Sequence, residues 1–280
     1  MDPAGPLFAC EDKATRLDPS DAKFVQVVHT NGESFLNGGL GTPERMGHVD
    51  FYPNGGQTQP GCPRSLVGKI AKKVATFDFS SLKDVSCSHS TAPLIVTDIL
   101  RRSTSTVKSS KDACRFQTFA CPNGKDWKWG RCFRRCQNST QCPVPGLDLL
   151  FATTAKQPQQ QYQQKIYFNT LARNNETDSP EFCGRQHLVT ITSPSGAKGS
   201  IRLRLYDQKF GWSNQSKFQR SSHKLKKDIP RSEVIVSEWK IEDVSKIELN
   251  YTRYKNKILA NGPMWFNLTN VTVEEASGLL

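Results

Sequence analysis

The 280-residue chain has no run of 18 consecutive apolar residues, so no helix of it spans a bilayer. Behind Met1 stands Asp2-Pro3-Ala4-Gly5-Pro6, without the basic patch and apolar run of a secretory leader. Acidic residues are in deficit: 26 Asp and Glu face 38 Lys and Arg, a formal net charge of +12. Histidine is missing from 90 to 186, which leaves the cysteine-rich stretch 114–142 without the partner a mixed zinc site would use. Cys132 and Cys136 fit zinc spacing only loosely. Apolar residues are 36% of the chain, enough for a packed core and too many for wholesale disorder.

Nine cysteines stand at 10, 62, 87, 114, 121, 132, 136, 142 and 183, and five of them crowd into 114–142. Six Asn-x-Ser/Thr acceptor triplets begin at Asn138, Asn175, Asn214, Asn250, Asn267 and Asn270. Together these features predict a disulfide-bonded glycoprotein of an oxidising, secretory compartment. An odd cysteine count leaves one thiol free or paired outside the chain.

Along the chain, Phe24–Thr30 and Val49–Tyr52 read as buried strands, the second ended by the turn Pro53-Asn54-Gly55-Gly56. Leu66, Ile70 and Val74 fall at i, i+4 and i+8, a short amphipathic helix weakened by Gly68. A further helix is expected over Ala92–Leu100. The polar tract 156–164 marks a domain boundary. Beyond it Gln164–Phe168, His187–Ile191, Ile201–Leu205, Val234–Val236, Ile247–Leu249 and Met264–Leu268 read as strands of an antiparallel β-sandwich over 164–280.

The ordered motifs go further. Asp2-Pro3-Ala4-Gly5-Pro6-Leu7-Phe8 is followed by Arg16-Leu17-Asp18-Pro19-Ser20-Asp21-Ala22, then by Gly47-His48-Val49-Asp50-Phe51-Tyr52-Pro53-Asn54-Gly55-Gly56, Pro60-Gly61-Cys62 and Cys87-Ser88-His89. In this order and spacing they closely resemble the pancreatic/lipoprotein lipase family of secreted neutral lipases. The match covers 1–150 well. The second half resembles that family's lipid-associated β-sandwich, the PLAT domain, in pattern more than in motif. The resemblance implies the C-terminal portion of an α/β-hydrolase domain over 1–155, followed by a PLAT-like antiparallel β-sandwich.

Residue by residue, the resemblance implies Asp2 and His89 as two members of a Ser-Asp-His triad. The imidazole takes the serine proton and the carboxylate fixes its tautomer. The third member is missing, because no G-x-S-x-G elbow occurs in the chain. The expectation is therefore no esterase activity for these 280 residues alone. Met1, one residue ahead of the catalytic Asp, is expected to be an internal residue of a longer lipase.

The same resemblance implies a structural calcium held by the carboxylates of Asp18 and Asp21 with the carbonyls of Lys13 and Arg16, an oxygen set suited to that ion. Without it, Asp18-Pro19-Ser20-Asp21 reads as a helix or turn cap. Cys62 and Cys87 match the disulfide that staples the family's lid, with 24 residues between them. That length, and the amphipathic helix inside it, imply a triacylglycerol lipase whose lid turns an apolar face to the lipid–water interface. Cys121–Cys132 and Cys136–Cys142 match two further family bridges, while Cys10, Cys114 and Cys183 are left unassigned. Arg134 and Arg135 resemble a heparin-binding loop, which implies heparan sulfate as a partner and, for an extracellular protein, no nucleic acid. His29, His48, His187 and His223 carry no catalytic argument. Three functions follow: a secreted hydrolase of acylglycerol esters, an inactive lipase-like protein that binds lipid surfaces or sulfated glycans, or a structural glycoprotein.

Overall fold

The structure is a computed structural model that describes residues 1–6, 8, 11–62, 82–104, 114–133, 142–146, 164–172, 181–219, 224–255 and 261–276. The amphipathic helix expected at 66, 70 and 74, the polar tract as far as 163, Cys10, Cys136, Arg134 and Arg135 lie outside the described residues. None of the described helices is long and apolar enough to cross a membrane. The chain divides into two compact units, 1–124 with 135–183, and 125–134 with 184–280.

The first unit is an α/β region. Its strands are β1 (Gln26–Val28), β2 (Val49–Pro53), β3 (Phe119–Ala120) and β4 (Gln164–Phe168), in the order β1-β2-β4-β3. β1 and β2 pair in parallel, Val28 opposite Phe51, and β2 and β4 pair in parallel, Phe51 opposite Ile166; β3 runs antiparallel to β4. All five residues of β2 are buried, as expected of a strand covered on both faces of a parallel sheet. Helix α1 (Leu82–Thr104) lays Ile95 and Ile99, one turn apart, into a cluster with Val28, Val49, Phe51, Ile166 and Phe168. Asp98 on the same helix is buried beneath Arg101 and Arg102 and accepts from the N–H groups of Phe182 and Cys183. There the chain is tied back by a Cys114–Cys183 disulfide.

This arrangement corrects the expected boundary at 156–164. β4 is not the first strand of the second domain but an inner strand of the first unit's sheet. The burial of Ile166, Tyr167 and Phe168 in succession is the mark of a central parallel strand, not of an alternating sandwich strand. Helix α1 also begins earlier than Ala92 and carries Cys87 and His89. Pro93 inside it removes one N–H, so the carbonyl of His89, four residues earlier, has no helical partner there.

The second unit is all antiparallel. β5 (Arg185–Thr192) lies between β10 (Arg231–Ser237) and β12 (Asn270–Glu275). β6 (Ala197–Asp207) pairs with β7 (Gly211–Trp212), β8 (Ser216–Gln219), β9 (Lys224–Leu225) and β11 (Val244–Arg253). β6 alternates strictly, burying Ile201, Leu203 and Leu205 against Val189, Ile191, Phe218 and Ile235. These antiparallel sheets make the sandwich-like unit that the sequence predicts. Met264–Leu268, expected as a strand, is irregular and leaves Met264 and Trp265 exposed; the last strand starts at Asn270. Its apolar run has no alternation to mark a buried face.

Two buried groups in this unit make its stability depend on pH. His187 is fully buried; its Nε2 faces Ser237 Oγ at 2.9 Å and the Trp239 carbonyl at 3.1 Å, while its Nδ1 has no partner among the described residues. Burial therefore pulls this imidazole from its ordinary 6.5 down to about 4. Glu233, gripped by Lys128 at 2.8 Å, is pushed by burial up to about 7. For the histidine, the unfolded chain takes up its proton first as pH falls, so the stability it contributes is complete above about 6.5 and is lost toward 4. The loss is about 3 kcal/mol. In urea denaturation across that range, His187→Gln flattens this part of the profile relative to wild type. The opposite dependence of Glu233, lost as pH rises toward 7, is common to both proteins and cancels in the difference.

Candidate functional site

Asp2 and His89, far apart in sequence, meet in the first unit. Asp2 Oδ2 lies 2.7 Å from His89 Nδ1. A carboxylate only accepts, so Nδ1 carries the proton and donates, leaving Nε2 as the nitrogen able to accept one. The His89 side chain is 39% exposed and that of Asp2 is not exposed at all.

Each half of the pair is fixed locally. The Asp2 N–H donates to the Val28 carbonyl at 2.7 Å, which ties Asp2 to the end of β1. The other carboxylate oxygen, Oδ1, accepts from the N–H groups of Thr30 at 2.6 Å and Asn31 at 3.1 Å, the residues that follow β1 closely. Asp2 has a φ of +45°, a left-handed conformation that a non-glycine residue holds only when its surroundings fix it. Gly41 supplies the clearance: a Cβ there would stand 2.5 and 2.6 Å from the two carboxylate oxygens. His89 rides on α1 two residues after Cys87, which the Cys62–Cys87 disulfide anchors.

Sequence reasoning missed the connector between these halves. The Gln59 N–H donates to Ser88 Oγ, next to His89, and its amide nitrogen donates to the carbonyls of Thr30 and Pro53. Asn54 donates in turn to Gln59 Oε1. One glutamine therefore spaces the turn that bears His89 from the loop that grips Asp2. The only available signal was its place between the Asn54-Gly55-Gly56 turn and Cys62, which composition does not single out.

The first unit also holds a second histidine–carboxylate contact. His29 Nε2 is 2.8 Å from Asp50 Oδ1, and its Nδ1 is 2.8 Å from the Thr42 carbonyl. Asp50 also accepts from the N–H groups of Met46 and Gly47, and the Tyr52 ring stacks on the imidazole at 4.5 Å. His29 and Asp50 are fully buried, so this pair supports the fold from inside rather than meeting substrate. His48 accepts from the Val25 N–H, a strand-to-strand tie.

The residues expected around a calcium form a closed turn. Asp18 caps the 3-10 turn Pro19–Asp21. Its Oδ1 accepts from both the N–H and Oγ of Ser20, and Asp21 Oδ2 accepts from the Asp18 N–H, the two halves of a capping box. The Ser20 hydrogen bonds hold the Asp18 carboxyl below the usual carboxylate range, helped by the charges of Lys13 and Arg16. Lys13 Nζ is 3.7 Å from Asp18 Oδ2. Among the described residues no three His, Cys, Asp or Glu side chains gather as a metal set. With Asp18 balanced by Lys13 and Arg16 and Asp21 accepting from the Asp18 N–H, these carboxylates make a poor donor set for calcium, whose affinity follows ligand charge.

Cys121, Cys132 and Cys142 are disulfide-bonded. Cys114 and Cys183, unassigned from sequence, pair with each other.

A lipase family model matches residues 1–176, more than half of the chain and all of the residues that build the dyad. The chain belongs to the lipase family. Pancreatic triacylglycerol lipase of Equus caballus is 29% identical across 99% of this chain and 55% of its own length. Lipase member H of Rattus norvegicus is 35% identical over 47% of this chain and 23% of its own. A human relative whose name reads "Inactive pancreatic lipase-related protein 1" is 31% identical over 75% of this chain and 40% of its own. The chain thus spans about half, or less, of the length of the curated relatives it matches. The pair as placed leaves one imidazole nitrogen, Nε2, open to accept a proton while Asp2 holds the opposite N–H, the arrangement that general-base chemistry uses.

The role of Gly41 is directly testable. Gly41→Ala is expected to push the Asp2 carboxylate off His89 and to cost about 1–3 kcal/mol through overpacking. The low-field proton resonance of the His89–Asp2 hydrogen bond disappears in the variant while that of the wild type remains.

Proposed function

We propose that this chain is a lipase-like protein that binds lipid–water interfaces and, with the residues it holds, does not turn over ester. A surface of the second unit carries this reading. Phe210 and Trp212, at and beside the β6–β7 turn, are 61% and 39% exposed. Lys209 stands over Phe210, Arg204 over Trp212 and Lys246 over the neighbouring Tyr206. Exposed aromatic bodies ringed by cations suit an interface whose interior is apolar and whose headgroups are anionic. The test is flotation with phosphatidylserine-containing vesicles. Phe210→Ala with Trp212→Ala is expected to reduce bound protein several-fold, and equal binding by variant and wild type would refute the assignment.

The second reading is a secreted serine hydrolase of acylglycerols, with an α/β-hydrolase first domain and a PLAT-like second. The intact Asp2–His89 geometry favours it once a serine is supplied. It rests on a nucleophile that no G-x-S-x-G of this chain provides. The expected outcome is no hydrolysis of a short-chain nitrophenyl ester by the chain alone. Turnover abolished by a serine-directed phosphonate would overturn that expectation. An in-frame G-x-S-x-G in the transcript upstream of Met1 would favour the hydrolase.

Secretion is supported by the disulfides and the six glycosylation triplets. For sulfated glycans, Arg134 and Arg135 are candidates by sequence, and in the same stretch of sequence the cations of Lys125 and Arg131 stand over the Trp129 ring.

A further inference from the structure

Both carboxylates of the turn expected to hold calcium are engaged by the protein's own groups. Asp18 Oδ1 has two donors from Ser20, and Asp18 Oδ2 faces Lys13 Nζ at 3.7 Å. Asp21 Oδ2 accepts from the Asp18 N–H at 2.9 Å. Main-chain oxygens of the loop are engaged too. Arg16 Nε donates to the Glu11 carbonyl at 3.0 Å and its Nη1 to the Leu17 carbonyl at 3.2 Å. Thr15 Oγ1 donates to the Asp12 carbonyl at 2.9 Å. Lys13 and Arg16, nominated by sequence for their carbonyls, are thus the residues whose side-chain cations bind the loop.

From this pattern we infer that the 11–21 loop is closed by Lys13 and Arg16 in place of a metal ion, and that the fold does not depend on calcium. Asp18 is 5% exposed, and a carboxylate that deeply placed needs a positive partner and hydrogen-bond donors. A divalent ion is one solution; an ammonium on a carboxylate and a guanidinium forked across two carbonyls is another, using the same kinds of oxygen. With the ammonium beside Asp18, an incoming calcium meets like-charge repulsion and must displace donors already in place. A calcium loop, by contrast, concentrates uncompensated negative oxygen. The loop is closed in this way whether or not the Asp2–His89 pair is ever used.

The experiment is thermal unfolding of the purified protein in excess chelator and in millimolar calcium, with calcium binding measured in parallel by calorimetry. The wild type is expected to melt at the same temperature in both and to show no binding heat. A ligand that binds only the folded state raises the melting temperature, so a rise of several degrees in calcium overturns the inference. Lys13→Ala combined with Arg16→Ala is expected to melt several degrees below wild type in chelator. Both side chains reach the loop from its surface, and if the variant nonetheless does not fold, the wild-type comparison decides alone. A double variant that melts with the wild type in chelator shows that the two cations do not close the loop, and overturns the inference equally.

Discussion

The Asp2 carboxylate has to be kept buried and aimed, and much of the first unit answers to that requirement. Withdrawing a carboxylate from water costs several kcal/mol unless donors replace the water. Here the replacements are two consecutive main-chain N–H groups, from Thr30 and Asn31, and the His89 ring. Those N–H groups point correctly only if the chain leaves β1 in one direction. β1 is held by β2, and β2 by β4, through parallel pairing. The space beside both carboxylate oxygens must stay empty of carbon, which Gly41 ensures. The positive φ of Asp2 is the local cost of this aim, sustained because the surroundings leave no alternative.

The same problem, a buried acid, recurs elsewhere with different solutions. Asp50 is met by His29 and two N–H groups, Asp98 by two arginines and two N–H groups, and Glu233 by Lys128 and Arg231. The net charge of +12 is therefore not all surface field. Part of it is consumed internally, against these buried carboxylates.

The dyad was legible because it sits in ordered motifs, Asp2-Pro3-Ala4 and Cys87-Ser88-His89, whose spacing is specific. Nothing in hydrophobic periodicity would have joined residues 2 and 89. Gln59 and Gly41 were not legible, since a connector's amide and the absence of a Cβ leave no pattern in one sequence. The β5, β6, β10 and β11 regions were legible because antiparallel strands alternate. β4 was misplaced because a strand buried on both faces reads the same wherever its partner lies, and its parallel partner β2 is remote in the chain. Helix α1 was read short because Ser86, Cys87, Ser88 and His89 are indifferent helix formers and Pro93 usually marks an end. The Cys114–Cys183 bridge needed the structure, since pairing cannot be deduced from cysteine count.

The pairing of β2 with β4 also governs when the molecule becomes itself. A hairpin closes as soon as its turn is made, but a parallel pair waits for the whole intervening chain. β2 is complete at Pro53, yet its inner neighbour exists only once Phe168 has been synthesised. Until then β1, β2 and the loop around Asp2 are without the strand that covers them, and their apolar residues are open to solvent and to other chains. The Cys114–Cys183 link can form only later still. The Asp2–His89 pair thus rests on a sheet completed only when β4 arrives, and the interval before that is when the first unit most needs chaperones at hand.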